Sequence, residues 1–392
     1  MLNSGARQAT TRGLLVALVV VASTQRFSLA EVPPLTSMIS DQTGLNALGL
    51  GMATTLTVVM MAIGSPLSAQ LTHRVSREWI LVWGAAAVTV GCLVRAVPPL
   101  AVTLFVGSEV GGLGIAAVGT MIPGVIAERL PGRVGVAVGA TNFSFSFIAI
   151  VVSSLTVPLA ARIGVTWALA AWAVPALLAM LIWLPFALHS TPTPGGRTRM
   201  PWASRSAWLT AALLTGENIV FLVALAWIAP SFQARGLSAD EAGFLLGAVT
   251  IGGMLGAVAT PMLSQFGSDR RPVLLLTVAI SGAGGLYLAF GATALAWPAM
   301  VLLGCGFGGG FGVAIALLID LGDSPRSTAA LSAMTFLIAY LASAPSAAIG
   351  GWIRDLSGGF TAVWWLVVAT SVILVPISLA LGPKRARSVH VG

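Results

Sequence analysis

The chain has 392 residues, of which 57% are hydrophobic and only 8% charged, with a net charge of +8. A soluble domain carries about 25% charged residues, so this chain cannot cover itself in polar surface and its solvent must be lipid. Its basic residues are nearly all arginine and thinly spread, which argues against a nucleic-acid partner.

The first apolar run, 13–35, is long enough to span a bilayer as one helix. It holds Arg26 near its middle and Glu31 towards its end. A charge at membrane depth costs roughly 2.5–3.5 kcal/mol on insertion scales, so a partner or a water-filled cavity is expected beside it. Eleven more runs follow: 47–71, 79–97, 100–127, 134–158, 165–189, 206–230, 242–265, 272–292, 296–320, 328–350 and 361–382. The stretch 190–205 is rich in Pro, Gly, Ser and Arg and divides six runs from six. It reads as a linker between an N-terminal half, 1–189, and a C-terminal half, 206–392. The expected fold is all-α, with twelve transmembrane helices in two six-helix bundles related by pseudo-symmetry.

Fifteen of the twenty basic residues fall in alternate gaps that include both termini and the linker, and four fall in the other gaps. The positive-inside rule then puts both termini in the cytoplasm. Trp79, Trp83, Trp202, Trp208, Trp227, Trp297, Trp364 and Trp365 lie near run ends, where an interfacial belt is expected. Cys92 and Cys305 sit inside apolar runs, and His73, His189 and His390 are scattered, so no disulfide, metal or cofactor is implied. No Walker sequence or catalytic triad appears, so ATP is not a visible energy source.

Three carboxyl groups, Glu31, Glu109 and Glu217, are candidate proton carriers, because burial in a membrane cavity favours the protonated acid. Glu31 lies five residues beyond Arg26, roughly 140° round a helix, so the two do not pair within it; near the run's end it can also be simply hydrated. Glu109 heads a face made of Gly112, Ala116, Thr120 and Pro123, which suits a cavity wall or close helix packing equally. Asn142, Ser146 and Ser153 form a polar stripe that can line a cavity or bond between helices. Glu217 and Asn218 give the seventh run a polar midpoint, and Tyr340 brings a hydroxyl to the eleventh. Arg26 can offer a planar fork to an anionic or polar solute, or pair with a buried carboxylate such as Glu217. The glycine run Gly304–Gly312 contains a G-x-G-x-x-G match, but no strand precedes it, so close packing or helix bending is the expected role.

The gaps after the second and eighth runs echo each other, with Arg74 and Arg77 in one and Asp269, Arg270 and Arg271 in the other. Arg74, Arg77, Asp269 and Arg270, with Asp320, read as gating residues. Twelve spans, a central linker and these basic turns resemble the major facilitator superfamily. Four stretches are similar to its cyanate and nitroimidazole porter branch. They are Gln25–Leu35 (QRFSLAEVPPL), Pro123–Ile126 with Leu130–Gly135, Ala226–Pro230 with Gly236–Gly243, and Ala329–Met334. Arg26 falls on the branch's arginine and Pro34 on its proline, whereas Phe27 and Glu31 depart from it. The antiporter signature of many drug exporters is missing from the fifth run.

The resemblance implies secondary transport of a small polar or anionic solute across the bacterial inner membrane, by alternating access and with protons, by a monomer. Proton-driven export of drugs or toxic small molecules is the alternative. A channel is the rival from another class, and electrical recording would distinguish it.

Overall fold

The computed structural model describes residues 2–45, 47–97, 100–191, 199–267 and 269–382, which are helical almost throughout. Lys384, Arg385, Arg387 and Arg197, counted above for orientation, lie outside the described residues, as does the stretch 192–198 of the linker. The first half contains α1 (Leu2–Ala30), α2 (Thr36–Thr43), α3 (Ala47–Leu71), α4 (Arg77–Val94) and α5 (Leu100–Arg129). It continues with α6 (Val134–Ile163), α7 (Val165–Ala171) and α8 (Ala173–Leu188). The second half contains α9 (Arg205–Gln233), α10 (Ala239–Ser264), α11 (Arg271–Phe290), α12 (Ala296–Leu321), α13 (Pro325–Ser343), α14 (Ser346–Ser357) and α15 (Thr361–Ala380). Among the described residues, eleven spans are long and apolar enough to cross a membrane, and α3 adds the shorter apolar stretch Thr55–Leu71.

Three predicted spans are interrupted, each at proline. The first ends at Ala30 rather than Leu35 and continues as a 3-10 turn at Pro33–Leu35. Pro33 and Pro34 have no N–H to offer the last helical turn. The sixth breaks at Trp172, just before Pro175, and the eleventh breaks at Ala344–Pro345 into α13 and α14. Pro66, Pro123, Pro158, Pro185, Pro230, Pro261 and Pro376 sit inside continuous helices. Membrane helices tolerate them because neighbours re-satisfy the freed backbone groups.

Lipid gives helices no hydrophobic reason to associate, so close van der Waals packing must supply it. Glycines make that approach possible. Gly84 and Gly91 of α4 face Gly107, Gly111 and Gly114 of α5, backbone against backbone. In the second half, Gly252 and Gly253 of α10 lie against Gly304 and Gly308 of α12, and Gly256 against Cys305 and Gly309. The glycine run therefore serves packing, and α12 stays continuous through it.

One hydrophobic cluster is shared by both halves. It joins Ile126 and Leu130 at the end of α5 and Ala137 in α6 to Ala207, Leu274, Leu321 and Ala329 at the helix ends nearest the linker. At the opposite face the cores are separate. Phe232, Ala242, Leu288 and Val363 form one within the second half, and Leu35, Leu104, Ala160 and Val165 form another within the first. Among the described residues, the halves are thus closed together on the linker face and share no core on the other.

Of the tryptophans expected in an interfacial belt, Trp83, Trp202, Trp208, Trp297 and Trp365 are exposed. Trp364 departs from the expectation because it is fully buried in the second-half core. Trp227 braces α14 instead: its indole donates to the Ala347 carbonyl at 2.9 Å, and Gly350 and Gly351 leave room for its ring.

Candidate functional site

Arg26 occupies the last two turns of α1. Its guanidinium carbon lies 3.5 Å from the centre of the Phe145 ring of α6. It is within electrostatic reach of Tyr340 on α13, across the boundary between the halves. Tyr340 in turn stacks on Phe336 with centroids 5.7 Å apart. A cation on a ring face keeps its edge N–H groups free to donate. The Arg26 Nε is buried without a hydrogen-bond partner.

The alternative pairing with Glu217 does not form. The Glu217 carboxyl is 1% exposed and lies against Gly310 of α12, with both oxygens lacking a donor. A side chain at Gly310 would occupy the carboxyl's space. Asn218, its neighbour, has a buried amide nitrogen without a partner. The structure therefore brings Arg26 and Tyr340 together and leaves Glu217 and Asn218 within the second half.

Asn142 resolves as a bond between helices. Its amide donates to the Ala257 carbonyl of α10 at 3.3 Å, joining the halves. Ser153 donates to the Ala30 carbonyl at 3.3 Å, where α1 ends, while Ser146 is half-buried. Glu109 is half-buried too, and its face packs closely: Gly112 meets the Thr57 carbonyl and Ala116 meets Gly64 of α3.

Glu31 differs most from expectation. It is not hydrated at a helix end; it is fully buried and ion-paired with Arg95, itself 0% exposed. Arg95 also donates to the Ser28 carbonyl at 3.1 Å and to Ser108 Oγ at 2.8 Å. Arg95 is one of the four basic residues counted above in the other gaps. The available signal was its place one turn after Gly91 and Cys92, inside the third apolar run.

On the linker face, charges join helix ends within each half. Arg77 pairs with Glu128, and Arg129 with Glu78 at 2.6 Å, crossing from α4 to α5. Gly124, beside Arg77, also lies against the Pro325 carbonyl at the start of α13. Arg74 is exposed on the turn. In the second half Arg270 grips Asp320 through Nε at 2.5 Å and Nη2 at 3.1 Å, and donates to Ser264 Oγ at 2.6 Å. Asp269 turns back on Arg271, whose hydrogen bonds hold its carboxyl below the usual aspartate value. Between the halves here lies a cleft of about 590 Å³, lined by Arg133, Gly135, Gln265, Phe266, Arg270 and Asp320. Replacing Arg270 with alanine is expected to lower stability by roughly 1 kcal/mol, the range of a partly exposed pair. Thermal melting should show partial recovery when Arg270→Asp is combined with Asp320→Arg.

The sequence profile of the Major Facilitator Superfamily matches residues 15–347. The chain belongs to the Major Facilitator Superfamily. It is similar to the 2-nitroimidazole transporter of Escherichia coli (strain K12), with 27% identity over 95% of this chain and 96% of that one. It is 26% identical to the cyanate transport protein CynX of the same organism, over 95% of this chain and 98% of that one. Among solved structures it matches the proton:xylose symporter XylE with a TM-score of 0.76 and 16% identity, over 99% of this chain and 98% of that one. That likeness shows the fold, twelve helices in two six-helix bundles. The protein is a multi-pass membrane transporter of this superfamily, not an enzyme. Among the described residues no group of three metal-ligating side chains is found.

Proposed function

We propose that this transporter carries a small polar or anionic solute, cyanate-like or a small heterocycle, by alternating access coupled to protons. The observation that carries the reading is Arg26, a cation at the boundary of the halves with ring-face support and a buried, unpartnered Nε. Such a donor set suits a compact acceptor-bearing solute. The relatives named for 2-nitroimidazole and cyanate support that class. Tyr340 faces the same space from the second half; Asn142, Glu217 and Asn218 complete the proposed lining. The halves 1–189 and 206–392 rock about it, with the linker 190–205 and both termini in the cytoplasm of a bacterial cell, on the side where the arginines concentrate. The separate cores on the opposite face then correspond to a state open to the outside. Arg74, Arg77, Asp269, Arg270 and Asp320 form the cytoplasmic gate, and the transporter works as a monomer.

Glu217 is the proposed proton carrier. An ionised carboxylate with no donor is costly in a dry site, so its closed surroundings suit the neutral acid, which releases its proton when water enters. Glu109 and Glu31 are less suited, the first by its place on a packed face and the second by its tie to Arg95. Uptake of labelled cyanate and 2-nitroimidazole into proteoliposomes, with a pH gradient imposed in each direction, tests the reading and gives the direction of transport. Saturable flux that follows the gradient is expected; absence of flux for both solutes in both directions overturns it. Glu217→Gln is expected to abolish gradient-driven accumulation while keeping solute exchange. If accumulation persists, another group carries the proton.

A further inference from the structure

We propose that Arg95 and Glu31 are positioning residues, which set where Arg26 stands by holding the broken end of α1. This rests on the reading of Arg26 as the solute-facing cation, but concerns a different cluster. The break itself follows from Pro33 and Pro34, which cannot donate to the carbonyls of the last helical turn. A frayed end four residues beyond Arg26 would leave that side chain loosely placed.

Arg95 removes the looseness. Reaching in from the end of α4, its guanidinium binds the Ser28 carbonyl, one helical step past Phe27, and the Glu31 carboxylate just after the helix stops. It also binds Ser108 Oγ of α5 at 2.8 Å. One planar group thus ties the end of α1 to two neighbouring helices, and the rigid fork fixes direction as well as distance. The surroundings are built for it. Gly107 leaves space for the Arg95 stem, Gly111 for Ser28, and Gly91 brings α4 onto α5. Both charges are 0% exposed. Cys92 Sγ lies 3.9 Å from the Glu31 carboxylate. A buried, paired cluster moves as one piece with the first half, carrying Arg26 with it.

The test reads the place of residue 26 directly, without a solute. Arg26→Cys is labelled by an anionic methanethiosulfonate reagent, and the rate at that position is followed by mass spectrometry with Cys92 and Cys305 in place. Ser146→Cys, one residue from Phe145, serves as control. Glu31→Gln keeps shape and removes the anion; Arg95→Lys keeps charge but cannot serve Ser28, Glu31 and Ser108 at once. Either change is expected to alter labelling at 26 by about tenfold, equal to about 1.4 kcal/mol in the barrier, and to leave 146 within about twofold of its starting rate. Equal changes at both positions mean general loosening and overturn the proposal, as does an unchanged rate at 26. If one variant fails to fold, the other decides. Failure here leaves the solute role of Arg26 standing, because that role is read from Arg26→Ala transport.

Discussion

Replacing Arg26 with alanine is expected to raise the half-saturation concentration for solute by about ten- to a hundredfold. A charge-assisted hydrogen bond is worth about 1.5–3 kcal/mol, and each 1.4 kcal/mol is a factor of about ten. Stability should fall by no more than its aromatic contact supplies. Among the described residues Arg26 has no carboxylate partner, and its Nε bonds to nothing, so truncation orphans no protein group. Only the stack on Phe145 is lost, worth about 0.5–2 kcal/mol. A structural cation behaves in the opposite way: breaking a buried pair costs about 3–5 kcal/mol. Uptake kinetics and melting of the same sample therefore separate the two roles. Arg26→Lys keeps the charge and loses the planar fork, so it should restore affinity only in part. Unchanged half-saturation and rate in Arg26→Ala would remove the residue from the site.

Gly308→Leu is expected to have the largest effect on folding. A Cβ at Gly308 would run into the Gly253 backbone, and backbone cannot yield as a flexible side chain does. Overpacking usually costs about 1–3 kcal/mol and more where nothing can move. Here the crossing of α10 on α12 must open, so a loss of about 3 kcal/mol or more is expected, with a sharply lowered melting temperature in detergent. Gly132→Ala is the comparison. It lies on the linker-face turn with nothing within 4 Å of its added carbon and should melt like the parent. Equal melting of both variants would mean that the glycine run has another purpose.

The membrane character and the number of spans were legible in the chain because they depend on runs of like residues, which lipid sorts without regard to partners. For the glycine run the sequence left packing and bending both open, and the close approach of α10 to a continuous α12 shows its use in packing. Broken spans were less legible. Pro33, Pro175 and Pro345 stop helices, whereas Pro123 and Pro261 do not, and the difference lies in which neighbour restores the missing backbone contact.

Local chemistry alone therefore settled a polytopic helical chain and the presence of an arginine and several acids within its apolar runs. Pairing was decided only in three dimensions. Among the described residues, Glu31 meets Arg95 from 64 positions away, Glu217 meets glycine and no cation, and Arg26 meets an aromatic ring and no acid. Spacing along one helix reports which residues share a face, but a charge's partner comes from another helix, and helix order around a bundle is set by packing of whole surfaces.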